Sequence, residues 1–144
     1  MANRIINKTN RKKETTEISV LVNTLTNPAI ESVKQFAKEY KRINIVTTHI
    51  NEFKYLEKKI YEEYGMMITV TNNKRKSLAK SEIILNFDFS QDLLNQYNIY
   101  DEAIIINLQG RMKIKKKRFN GLNINDFEIY STRADDYFDF SKLK

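Results

Sequence analysis

Five short runs of this chain are apolar on consecutive positions, not on alternate ones. They are Ile18 with Val20, Leu21 and Val22; Ile43 with Ile45 and Val46; Met67 with Ile68 and Val70; Ile83 to Leu85 with Phe87; and Ile104 to Ile106 with Leu108. A strand that is apolar on both sides has to be covered on both faces, which is the situation of a parallel sheet between two layers of helices. The intervening segments supply the covers. Ile30, Val33, Ala37 and Tyr40 recur at spacings of three and four, as do Phe53, Leu56, Ile60 and Tyr64. Each set falls on one side of a helix. Leu93, Leu94 and Tyr97 form a shorter stripe. The pattern predicts a three-layer α/β domain with a mostly parallel sheet of five or six strands and right-handed crossovers. Val20, Ile45 and Ile84 are expected to be central, side-by-side neighbours running the same way.

Punctuation residues set the boundaries. Asn27 is a helix cap followed by Pro28, whose missing N–H has no partner in a first helical turn anyway. Asn51 caps the second helix, and Gly65 ends it in the left-handed conformation that glycine tolerates. Ser90 caps the short third helix. Residues 72–80 are polar and basic, a loop or a short helix. Phe119 to Asn123 carries turn signals. Phe127, Ile129 and Tyr130 suit a sixth strand. The expected organisation is a basic mobile arm over 1–16, an α/β domain over 17–131 and an acidic–aromatic tail over 132–144.

Composition removes several chemistries. There is no cysteine and one histidine in 144 residues. Disulfides, thiolate ligands, thiol catalysis and multi-histidine metal sites are therefore excluded. No apolar run approaches the roughly 20 residues of a spanning helix, and the basic N-terminus has no apolar core of a secretory signal. These features predict a soluble cytoplasmic protein without membrane contact. The formal net charge of +7 is attractive to polyanions. Yet lysine, isoleucine and asparagine together make up 52 residues, a bias that A- and T-rich codons would spread everywhere. Clusters therefore say more than the total.

Three stretches, EISVLVNTLTNPAIESVKQFAKEY, NIVTTHINEFKYLEKKIYEEYG and KSLAKSEIILNFDF, resemble a dinucleotide-binding domain of the Rossmann type. The nearest style is the nicotinamide-binding domain of shikimate dehydrogenases and glutamyl-tRNA reductases. The resemblance covers Glu17 to Leu108 and implies the fold, with NAD(P) as the cofactor such a fold would hold. The loop after the first strand departs from that family. It reads Asn23-Thr24-Leu25-Thr26-Asn27-Pro28 and contains no glycine, whereas glycines there let backbone N–H groups approach a pyrophosphate. The second strand ends in Thr47, Thr48 and His49, with no acidic residue for a ribose. The resemblance thus implies a degenerate domain.

Open α/β sheets bind ligands beyond the carboxyl ends of the strands, where the strand order reverses. Here that crevice would be lined by Asn23, Thr24, Thr26, Asn27, Thr47, Asn86, Asp88 and Phe89. They would hold a nucleotide or anion, or would only cap helices and shape turns. His49 beside them could move a proton, but Glu52 is its nearest carboxylate in sequence. No acid–base pair, nucleophile motif or metal-ligand spacing is present, so the reading leans away from an enzyme. A second candidate site is the basic cluster Arg111, Lys113, Lys115, Lys116, Lys117 and Arg118. In an extended segment its odd positions would share one side and contact phosphates, with Phe119 stacking on a base. The alternatives are a solvated segment, or pairing with Asp135, Asp136 and Asp139. Residues 134–144, with Tyr137, Phe138 and Phe140, either pack back on the domain or dock a protein partner. The leading expectation is a Rossmann-like binding or interaction module. A small basic nucleic-acid-binding protein comes second, and a minimal NAD(P)-dependent oxidoreductase subunit third.

Overall fold

A computed structural model of the chain describes residues 15–108, 111–115 and 119–125. Six strands form one sheet: β1 (Glu17–Leu21), β2 (Arg42–Val46), β3 (Thr69–Thr71), β4 (Ile83–Asn86), β5 (Ile104–Asn107) and β6 (Leu122–Ile124). Their order is β3-β2-β1-β4-β5-β6, and every pairing is parallel. This is a Rossmann-like arrangement. Val20 lies opposite Ile45 on one side and Leu85 on the other, one residue along from the expected Ile84.

Among the described residues four helices connect the strands: α1 (Asn27–Glu39), α2 (Ile50–Tyr64), α3 (Lys74–Lys80) and α4 (Gln91–Asn95). The two faces of the sheet carry different apolar sets. Ile18, Val20, Ile43, Ile45, Ile83 and Leu85 pack with Val33, Phe36, Phe53 and Ile60 from α1 and α2. Leu21, Val46, Ile84 and Ile105 pack with Leu78 of α3 and Leu94 of α4. Consecutive apolar residues in β1, β2, β4 and β5 therefore do serve opposite layers.

Several local expectations are corrected. Thr26, not Asn27, caps α1; its hydroxyl accepts from the Ala29 N–H at 3.3 Å, and Asn27 is already helical. A threonine one residue earlier leaves the helix one more residue before Pro28, which still sits in the first turn. His49, not Asn51, holds the cap position of α2, with no side-chain hydrogen bond to the helix. Gly65 ends α2 at φ 67°, as its position suggests. Ser90 caps α4 by accepting from Leu93 at 3.2 Å. Residues 72–80 resolve into α3, because Asn73 accepts from the Lys76 N–H and starts a turn whose Leu78 is buried. Tyr64, the last residue of α2, is exposed, with Lys34 Nζ 5.5 Å from its ring centroid.

The sixth strand among the described residues lies at Leu122–Ile124, overlapping the end of the stretch that reads as a turn. Gly121 explains it. A Cβ there would overlap the carbonyl oxygen of Ala103. The turn-like glycine marks a close approach that lets Leu122 donate to Ala103 O at 3.0 Å and start the ladder. Residues 1–14 of the arm, the proposed strand at 127–130 and the tail fall outside the described residues, whereas Thr16, placed in the arm, is buried beside β1 and belongs to the domain.

Candidate functional site

Because all strands run the same way, their carboxyl ends share one edge. The strand order reverses between β1 and β4, the place predicted from the sequence for a crevice. Asp88 bridges the loops there. Its carboxylate accepts from the Asn23 N–H at 2.8 and 3.0 Å and from the Thr24 N–H at 2.9 Å. In a glycine-rich loop, N–H groups at this point of the fold would face a pyrophosphate. Here an internal anion, carried by the turn after β4, holds them.

The neighbouring groups are used in the same way. Asn23 Oδ1 accepts from Thr47 Oγ1 at 3.2 Å, from the Thr48 N–H at 2.9 Å and from Thr48 Oγ1 at 3.0 Å. That clamps the ends of β1 and β2 together. Thr47 is fully buried, and its hydroxyl also accepts from the His49 N–H at 3.0 Å. Asn86 accepts from Phe89 N at 2.9 Å and donates to Phe89 O at 3.1 Å, a closed loop that buries the Phe89 ring. His49 itself is exposed. Thr26 serves as the α1 cap, and Asn27 is exposed in the first turn.

The chain of amides continues beyond the crevice. Asn86 Nδ2 donates to Asn107 Oδ1 at 3.0 Å. Asn107 Nδ2 donates to Asn123 Oδ1 at 2.7 Å and Asn125 Oδ1 at 3.0 Å. Asn123 Nδ2 donates to Met112 O at 2.7 Å, and Met112 N donates to Asn125 Oδ1 at 2.9 Å. Four asparagines thus lace β4, β5 and β6 to the segment 111–115. A buried asparagine left without partners is costly, so a relay in which each amide has one is a structural joint. The signal was present in the sequence as LVN, ILN and IIN, three apolar pairs each closed by asparagine. The abundance of asparagine elsewhere in the chain obscured it.

The second candidate site is partly described. Met112 and Ile114 are half-buried against the apolar set under α4, while Arg111, Lys113 and Lys115 are exposed. Two α4 side chains one helical turn apart hold the segment's backbone. Lys113 N donates to Gln91 Oε1 at 2.9 Å, Asn95 Nδ2 donates to Lys113 O at 2.8 Å, and Lys115 N donates to Asn95 Oδ1 at 2.8 Å. The backbone of 113 and 115 faces α4, and that of 112 faces β6, which is the alternation of a strand. The odd basic positions therefore do share one side. Phe119 is half-buried against the same apolar set, which removes it as a platform for a base. Lys116, Lys117, Arg118 and the acidic tail lie outside the described residues.

Among the described residues, no group of three His, Cys, Asp or Glu could hold a metal ion. No helix is long and apolar enough to cross a membrane. Three half-open hollows of about 360, 280 and 270 Å³ lie against α1, α2 and their flanking turns, and none includes a residue of the predicted crevice. Comparison with protein-family models, curated proteins and solved structures finds no match.

Proposed function

We propose that this chain is a Rossmann-like binding or interaction module without a catalytic apparatus, in which the carboxyl-end crevice is a structural joint. The supporting observation is the Asp88 carboxylate on the Asn23 and Thr24 N–H groups. A pyrophosphate would have to displace one negative charge and at least two charge-assisted hydrogen bonds, each worth roughly 1.5–3 kcal/mol. The asparagine relay leaves Asn86 with its amide already bonded on both sides. This favours the module over an NAD(P)-dependent oxidoreductase.

A ligand that binds only the folded state raises its melting temperature. Millimolar NAD, NADP or ATP should leave the melting temperature of the wild-type chain unchanged. A clear upward shift that saturates with nucleotide would restore the crevice as a ligand site and overturn the reading.

A further inference from the structure

The described surface is electrically lopsided. α1 and α2 together carry five lysines and six glutamates. Lys34, Lys54 and Lys58 there are each within 4 Å of a glutamate on the same helix. The opposite cover differs. α3 carries Lys74, Arg75, Lys76 and Lys80 and no acid. The segment 111–115 adds Arg111, Lys113 and Lys115, while α4 contributes only Asp92. Even with Asp101 and Glu102 in the turn before β5, this cover remains positive. Codon bias would raise lysine on both covers alike and does not produce this difference.

Two features set these cations apart from a solvated charge run. Lys74, Arg75, Lys76, Lys113 and Lys115 form no ion pair among the described residues. Lys113 and Lys115 are also held in place, because Gln91 and Asn95 fix the backbone that carries them. Along a strand, alternate side chains recur about every 6.6 Å, so the row presents charges at near-regular steps. Leu78 of α3, Leu94 of α4 and Met112 and Ile114 of this row share one apolar cluster, so the two cation groups lie on the same cover of the sheet. Met112, Ile114 and Phe119 point into the core, so the row has no ring to stack on an unpaired base, as single-strand binders do.

We infer that the α3–α4–(111–115) cover binds the phosphate backbone of a nucleic-acid duplex, without reading its sequence. This deepens the binding-module reading by naming a partner. It stands apart from the closed crevice, which the nucleotide experiment tests by itself.

The test is fluorescence anisotropy of a labelled mixed-sequence duplex titrated with the full chain at several salt concentrations. Each phosphate contact contributes about 0.9 to the slope of log K against log salt. The double variant Lys113→Gln with Lys115→Gln should therefore flatten the slope by about 2 and weaken binding at low salt. Lys74→Gln with Lys76→Gln should flatten it by a similar amount. Lys54→Gln with Lys58→Gln, on the neutral cover, should change nothing and serves as the control. Circular dichroism and the melting temperature confirm that each variant is folded. Three results would each overturn the inference: no duplex binding at low salt, equal loss in the control variant, or equal or tighter binding to a single strand, to polyglutamate or to anionic vesicles.

Discussion

The two covers of this sheet are built by different means. On one side α1 and α2 are three to four turns long, amphipathic, and laced by Lys–Glu pairs three or four residues apart. Their apolar faces hold the layer, and the surface pairs add little. On the other side α3 and α4 have seven and five residues, and β5 returns to β6 through a segment with no helix in its described part. Apolar burial there is supplemented by amide side chains that stand in for a ladder. Gln91 and Asn95 hold one side of the 111–115 backbone, and Asn123 and Asn125 hold the other. One cover is a hydrophobic layer with a neutral surface. The other is hydrogen-bonded in place and presents its cations outward.

Substitutions sharpen that contrast, beginning with the largest effect. Phe36 in α1 is buried against the sheet, and Phe36→Ala should cost about 3–5 kcal/mol in urea denaturation. Met112→Ala, at a half-buried site on the opposite cover, should cost about 1–2 kcal/mol. Equal losses would erase the distinction between the covers. Asn107 is fully buried and bonded to three other asparagines. Asn107→Ala should destabilise by about 2–3 kcal/mol, since it strands buried partners, and should loosen β6 and 111–115 first in hydrogen exchange.

Tyr40 gives a pH signature to the helical cover. Its hydroxyl is buried without a hydrogen-bond partner among the described residues, and burial, with Glu39 close by, pushes its pKa up to about 12. The unfolded chain releases this proton near pH 10 and the folded chain near 12, so the folded state binds more protons in that window. Stability should therefore fall by about 2–3 kcal/mol as pH rises from 10 to 12. Tyr40→Phe should remove that part of the alkaline loss and gain up to about 1 kcal/mol at neutral pH. A smaller effect is expected for Asn95→Ala, about 1 kcal/mol, with faster exchange of the Lys113 and Lys115 amides as its specific mark. Lys58→Gln should shift stability by less than about 0.5 kcal/mol.

Elements set by apolar period were legible in the sequence. Consecutive apolar residues such as Ile83 to Leu85, bounded by turn residues, suit a strand covered on both sides, while the strand order came with the Rossmann-type resemblance. Elements set by polar contacts were harder to read. Phe119 to Asn123 looks like a turn because glycine and asparagine usually mark one. Its strand depends on the approach of Gly121 to Ala103, which no local pattern records. The crevice residues were legible as a group, because the fold brings Asn23, Thr47, Asn86 and Asp88 to one edge. That they bond to one another depends on contacts across about 65 residues, as between Asp88 and Asn23. The same applies to 111–115. The alternation of Met112 and Ile114 revealed which side faces inward, while its dependence on Gln91 and Asn95 needed three dimensions.

The most direct test of the closed crevice is nuclear magnetic resonance of the Asn23 and Thr24 backbone amides. In the wild-type chain these two amides should exchange slowly and should not move when inorganic pyrophosphate is added. In Asp88→Ala both should lose protection. Saturable pyrophosphate shifts of Asn23 and Thr24 in the wild-type chain would contradict the view that Asp88 holds these groups.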